Sequence, residues 1–420
     1  MSAGTATTTG SKVRTDATRV RAPFKVADIL VVILLALVLG LIYVGAEMSA
    51  LARPAQDMAA YWTAAHLIRQ NPYSLPLVRQ MELAIHARIP EGSALIMRNP
   101  PWALPFVLPL RWMSFPAAYA FWTILSAAII GGCGRQLWRL YSPRPSLKPA
   151  FICFLFGPTL LLLNLGQTTA FVLLGVTLFW YAIQRRRDWL AGSALLLVVI
   201  KPQVALLFLL VSALWIIETK RWRILAAAVL SVAASSLLAV WLNPSVFGQY
   251  ANLLQLLRHD VSYYVNLGGF LYLVTGHHWM AFLPQMGGVL WALTYWTKHR
   301  RQWDWNTDGA LVLLVSIVCS YYVFGYDEVL ALPALLWAAA AGRPAVFWTG
   351  LALTSPLQTF SWYQGGFVRF NPIFLYLAGT AWLLLYLLSI RKTFVKKQVR
   401  AGTARSLQCH LPDMPEVTNA

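Results

Sequence analysis

The sequence predicts an all-α, polytopic integral membrane protein with about twelve transmembrane helices. Three observations carry that expectation. Hydrophobic residues make up 58% of the 420 residues and charged residues only 12%, roughly half the charged share of a soluble domain. Mean hydropathy is +0.58. The basic residues behind the net charge of +19 stand in short clusters between apolar runs, as the positive-inside rule expects, so the charge calls for no nucleic-acid partner.

Residues 1–25 are small, polar and basic and read as a disordered cytoplasmic tail. Residues 26–390 form the transmembrane domain. Its first span is expected at about 27–49, where 29–46 carry no charge. A cleaved signal peptide is the competing reading, because Ala50, Leu51 and Ala52 resemble a cleavage site. The long apolar run and the long preceding tail favour a retained span. Residues 50–102 are the longest polar interruption and read as the first extracytoplasmic loop. Within it Pro54 precedes Asp57, and Met58, Tyr61, Trp62, Ala65 and Ile68 recur at helical spacing. That pattern predicts a short amphipathic helix on the membrane surface, with a second over 75–87.

The Pro-rich stretch 101–113 reads as a re-entrant or juxtamembrane helix. Spans are then expected at about 115–138, 150–164, 167–184, 189–200, 202–217 and 222–242. The pair 189–200 and 202–217 is split at Lys201 and Pro202, since proline lacks an N–H and disfavours helix before it. A second long extracytoplasmic loop, 243–278, precedes spans at about 279–297, 308–324, 328–342, 345–360 and 371–390, and 391–420 is a basic cytoplasmic tail. There is no internal repeat.

With both termini in the cytoplasm, 25 of the 34 basic residues fall inside, which supports the even span count and puts Lys201 at an outer turn. Cys133, Cys153, Cys319 and Cys409 form no CxxC pair and read as packing residues that say nothing of redox compartment.

This topology gathers the unusual polar residues on the outer face: Asp57, Arg98, Asn99, Asn164, Gln167, Lys201, Gln203, Tyr326, Asp327 and Glu328, with Gln358, Trp362, Tyr363 and Gln364. An ionisable group at membrane depth is costly and lines a cavity or finds a partner. Carboxylates at Asp57, Asp327 and Glu328 with cations at Lys201 and Arg98 under one rim make a plausible active site. Each also has a plainer reading. Asp57 can cap the helix it precedes. Lys201 can snorkel from a helix end. Asp327 and Glu328 can cap the next span, and Gln167 can satisfy a tight turn. Tyr61 and Trp62 suit either a membrane aromatic belt or stacking on a sugar. His277 and His278 read as interfacial.

The chain has no P-loop, GxGxxG or HExxH, nor a cytoplasmic domain large enough for a nucleotide. A transferase built this way needs a donor that arrives through the membrane, and a lipid-phosphate sugar meets that need. Asp57-x-x-x-Tyr61-Trp62, the NPY after it, NPPW, the GQ of NLGQ and KPQ resemble glycosyltransferase family 87 over about 50–388. The resemblance implies a GT-C fold with a catalytic aspartate in the first extracytoplasmic loop, where Asp57 stands. It implies transfer of a hexose, mannose in the known kind, from a polyprenyl-phosphate donor to an extracytoplasmic lipid or glycan acceptor.

On that reading the reaction inverts the anomeric centre and Asp57 is the general base. Lys201, Arg98 and Tyr326 meet the donor phosphate, and Tyr61, Trp62, Asn99, Gln167, Gln203, Asp327 and Glu328 contact substrate. Gln56 replaces the first member of the acidic pair many GT-C enzymes carry, so neither metal nor cofactor is expected. SYYVFGYDE lacks the histidine some members have near the phosphate, leaving Tyr322 or Tyr326 for that place. The competing functions are a transporter or lipid flippase, disfavoured by the missing repeat and by polar residues gathered at one end, and a non-catalytic assembly subunit.

Overall fold

The computed structural model describes residues 57–85, 93–142, 144–257, 266–341, 344–363 and 376–390. The expectations for both tails, the span at 27–49, the cleavage-site residues, residues 86–87, Gln364 and Cys409 lie outside these, as do the side chains of Gln358, Trp362 and Tyr363. Among the described residues there is helix, turn and loop, and no strand.

Helices α1 (Met58–His66) and α2 (Leu75–Ala84) occupy the first loop. The expectation for α1 as an amphipathic surface helix is corrected: every residue except Trp62 and His66 is buried. Ala59, Ala60, Ala64 and Ala65 are small enough for neighbours to approach from several sides, so α1 packs inward against α2, α3 and the turns at 104–112. Those turns, Pro101–Ala103, Leu104–Val107 and Leu108–Trp112, each carry a proline in their first positions. Pro101, Pro105 and Pro109 recur every fourth residue. Proline tolerates a first turn but not the interior, so three linked turns form where one re-entrant helix was expected.

Next come α3 (Phe115–Tyr141), α4 (Lys148–Leu155), α5 (Gly157–Leu165), α6 (Thr169–Gln184), α7 (Asp188–Val198), α8 (Leu206–Glu218) and α9 (Trp222–Leu242). The span expected at 150–164 is two helices meeting at 61°, because Phe156 is extended and Pro158 starts a new helix. α10 (Val246–Leu257) and α11 (Leu267–Thr275) fill the second long loop. The chain closes with α12 (Leu283–His299), α13 (Ala310–Cys319), α14 (Leu332–Ala341), α15 (Pro344–Tyr363) and α16 (Tyr376–Ile390). A π-helical turn, Trp305–Gly309, leads into α13, and a 3-10 turn, Asp327–Ala331, into α14.

By length and composition α3 and α9 can each cross a membrane, and the bent pair α4–α5 makes a third if it is one span. The other apolar helices have 10–17 residues, short of the ~20 a straight crossing takes. α9 leaves Leu225, Val229, Leu230, Leu237 and Trp241 exposed along its length. An apolar face of that extent is anomalous against water and expected against lipid.

α6, α7 and α9 pack closely through small residues. A Cβ on Gly175 would lie 2.7 Å from the Ala194 carbonyl, and one on Gly192 would collide with that of Ile224. The bundle therefore has two distinct ends. At one, the basic turns meet: Gln184 donates to Asn306 at 3.1 Å, Arg300 to Glu218 at 3.2 Å, and Arg221 pairs with Asp188. The turns after α5, α7 and α13 meet at the other.

Candidate active site

The site is assembled from three turns and the residue before α1. Gly166 ends α5 in the left-handed region, φ +71°, where glycine carries no steric cost. A Cβ there would sit 2.7 Å from Cβ of Met58, so the α5–α6 turn lies against the residue next to Asp57. Gln167 and Thr168 follow on that turn and Thr169 opens α6.

Asp57 has helical backbone angles and no side-chain cap hydrogen bond, so its carboxylate does not cap α1. Its Oδ2 instead accepts from Gln167 Nε2 at 2.5 Å. Gln167 Oε1 accepts from Tyr61 Oη at 2.7 Å and from Lys201 Nζ at 2.9 Å. An ammonium can only donate, which obliges the amide oxygen to face Lys201 and turns the amide N–H toward Asp57.

Lys201, buried in the turn between α7 and α8, also donates to Thr169 Oγ1 at 3.1 Å and to Asp327 Oδ1 at 2.9 Å. All three N–H donors of the ammonium are thereby directed at protein oxygens, and its charge sits 4.9 Å from the centre of the Tyr326 ring. Asp327 accepts from the Thr169 hydroxyl as well, and through Oδ2 from the Phe324 amide at 3.2 Å. A buried ion pair of this kind persists only when its remaining polar atoms are satisfied, and here they are.

Arg98 lies at the exposed mouth, donating to the Tyr322 hydroxyl at 3.3 Å. Asn99 is buried one residue on. Its Nδ2 donates to the Ile200 carbonyl at 2.9 Å and its own carbonyl accepts from Tyr73 Oη at 3.0 Å. Trp102 Nε1 donates to the Val199 carbonyl at 3.0 Å, so the stretch 98–102 holds the turn that carries Lys201.

Burial raises the Asp57 carboxyl above the ordinary carboxylate range. The Gln167 hydrogen bond and the charges of Lys201 and Arg98 work against that rise, and Asp327 adds to it.

Asp57, Tyr61, Gln167, Lys201, Tyr326 and Asp327 thus come together, with Arg98 at the mouth. Two other expected residues turn elsewhere. Glu328 is buried and accepts from Trp382 Nε1 at 2.9 Å, facing α16. Trp62 donates to the Met113 carbonyl at 2.9 Å and packs on His66 and Phe115. At Gln203 it is the main-chain carbonyl that is used, accepting from Ser320 at 3.0 Å. Thr169, in direct contact with both Lys201 and Asp327, escaped the sequence reading. Its signal is its place two residues after the GQ pair. Among the described residues, no three His, Cys, Asp or Glu side chains gather as a metal site requires.

Fold and site together define a helical membrane protein with an ordered carboxylate–lysine network at one end of the bundle. The sequence model of glycosyltransferase family 87 matches residues 98–346, more than half of the chain. The chain belongs to glycosyltransferase family 87 and is a membrane glycosyltransferase, taking a sugar donor and an acceptor. The match includes Arg98, Gln167, Lys201, Tyr326 and Asp327 and begins after Asp57, Tyr61 and Trp62. No curated protein matches the chain.

Proposed function

We propose that the protein transfers a hexose, with mannose the first candidate, from a polyprenyl-phosphate donor to a lipid or glycan hydroxyl on the extracytoplasmic side. Asp57 acts as general base. The acceptor hydroxyl passes its proton to Asp57 as its oxygen attacks the anomeric carbon, and the bond to the phosphate oxygen breaks with inversion. The observation that carries this reading is the carboxylate of Asp57, turned away from its helix and toward Gln167 rather than used as a cap. A carboxylate raised by burial is a better base near neutral pH than one in water, and base catalysis of this kind contributes about 10²–10⁴-fold.

The leaving phosphate is received at Arg98 and Tyr322. The Tyr322 phenol, which already accepts from Arg98, offers a neutral O–H donor near neutral pH. The lipid tail is accommodated in a mostly apolar groove of about 500 Å³ between α7, α8 and α9, lined by Leu195, Val199, Leu209, Ala213, Val229 and Val232 with Ser212 among them. Val199 stands two residues before Lys201, so a chain lying in the groove has its head near the polar network.

The test is Asp57→Asn, assayed with a polyprenyl-phosphate mannose donor and no nucleotide. Asn keeps the shape and the contact with Gln167 but takes no proton at neutral pH. The expected result is an unchanged melting temperature and a rate down by about 10²-fold or more. A variant that keeps most of its activity removes Asp57 from the chemistry.

A further inference from the structure

Lys201 was expected at the donor phosphate, yet its ammonium is spent within the protein. We infer that Gln167, Lys201, Thr169 and Asp327 form one positioning unit that orients and tunes Asp57, and that the phosphate is bound without Lys201. This rests on the reading of Asp57 as the base.

The argument is one of donors and acceptors. A lysine ammonium has three donors, and these reach Gln167 Oε1, Thr169 Oγ1 and Asp327 Oδ1 at 2.9, 3.1 and 2.9 Å. A phosphate oxygen could recruit Lys201 only by displacing one of these partners, which costs a charge-assisted hydrogen bond to a buried oxygen. The same three bonds have a purpose that needs no phosphate. The bond to Gln167 fixes which end of the amide faces Asp57, and Tyr61 donates to the same amide oxygen at 2.7 Å. Rotating the amide would aim its oxygen at the Asp57 carboxylate and its N–H groups at an ammonium. Lys201 therefore makes one orientation of Gln167 greatly preferred, and Gln167 holds one carboxylate oxygen of Asp57.

Asp327, on a turn from the far side of the sequence, balances the charge and is itself pinned by Thr169 and the Phe324 amide. Electrostatics act in the same sense. The Gln167 hydrogen bond and the Lys201 charge both favour ionised Asp57, and each outweighs the opposing charge of Asp327. Gln167, Lys201 and Asp327 are thus positioning residues, acting on the reacting atoms through Asp57.

The experiment uses the full-length protein in detergent with two variants. Gln167→Met removes the donor to Asp57 at similar size. Lys201→Met combined with Asp327→Asn removes the ion pair as a unit, so that neither buried charge is orphaned. Two quantities are read: the acid limb of the pH profile of kcat/KM, and the Kd for a polyprenyl phosphate bearing no sugar. Gln167→Met loses a group that favours ionised Asp57, and in the double variant the loss of Lys201 outweighs the loss of the opposing Asp327. In both, the proton is held more tightly and the acid limb moves to higher pH, by about one unit (tenfold in the deprotonated fraction) in Gln167→Met and by less in the double variant. The Kd for the lipid phosphate stays within about threefold of wild type in both, while Arg98→Gln weakens it about tenfold. An unmoved acid limb in Gln167→Met overturns the inference. So does a lipid-phosphate Kd at least about tenfold weaker in the double variant, which would return Lys201 to the phosphate. Failure of the base reading is seen separately, as activity surviving in Asp57→Asn.

Discussion

At the scale of single residues, two carboxylates in the first loop, Asp57 half-buried and Glu82 buried, are pushed the same way by their surroundings. Asp57 is the proposed base, joined to Gln167. Glu82, on α2, is buried, and both its oxygens lie within hydrogen-bond distance of the Leu95 amide, at 3.1 and 3.2 Å. One turn earlier Arg79 donates to the Ser93 carbonyl at 2.6 Å, so α2 clamps the extended segment that runs on to Arg98. Burial raises Glu82 from its usual 4.5 to about 7, against the pull of the Leu95 amide and Arg79. The native state therefore binds a proton that the unfolded chain has lost, between about 4.5 and about 7. The stability this group contributes is present below that window and lost as pH rises through it. Glu82→Gln removes the titration, so its melting temperature relative to wild type should climb between pH 5 and 8. A difference independent of pH would show that Glu82 is not the group concerned.

The sequence points to Asp57, Gln167, Lys201 and Asp327 because they interrupt apolar runs, where a polar side chain demands a reason. It does not separate Asp327 from Glu328. Those neighbours lie on a 3-10 turn that sends one toward Lys201 and the other toward Trp382, a choice made by tertiary packing.

At the scale of elements, the turn from α5 to α6 sets the position of the site. Gly166 combines a left-handed backbone with contact against Met58. Alanine there costs about 1–2 kcal/mol for the backbone alone. Its methyl must also displace Met58, which moves Asp57 relative to Gln167. Gly166→Ala should lower the melting temperature by a few degrees and the transfer rate by about 10²-fold, the loss expected for a misplacement near 1 Å. Purified variant assayed at matched concentration checks this, and a rate that falls only in step with the folded fraction would speak against it. Apolar segment positions were legible from sequence because hydrophobic runs define them. The burial of α1 was not, since a helix of alanines looks the same whether it faces a membrane surface or a protein interior. The breaks at Gly157 and at the three prolines of 101–112 follow local rules, but their angles depend on what packs against them.

At the scale of the whole molecule, the helix that best measures the membrane is α9. Its 21 residues rise about 31 Å, close to a bilayer's hydrocarbon thickness. Arg221 and Arg223 stand at its start, and the exposed indole of Trp241 stands at its end, where an aromatic belt belongs. The start lies with the basic turns that carry Arg185, Arg186, Arg187, Arg300 and Arg301, and on the positive-inside rule we propose that this end is cytoplasmic. In that proposed orientation the turns bearing Gln167, Lys201 and Asp327 open on the opposite face, the side the proposed lipid-linked donor requires. Gln203 sits at that end and Arg223 at the other. Single cysteines at the two positions should behave oppositely in intact cells. Gln203→Cys should react with a membrane-impermeant maleimide added outside, and Arg223→Cys only after permeabilisation. The unsubstituted protein, with Cys133 and Cys153 buried and Cys319 half-buried, gives the background labelling. Labelling of Arg223→Cys from outside, with Gln203→Cys silent until the membrane is opened, would invert the protein and bring the Asp57 network to the cytoplasm. The donor would then be presented on that side, and the proposed extracytoplasmic transfer would fall with the topology.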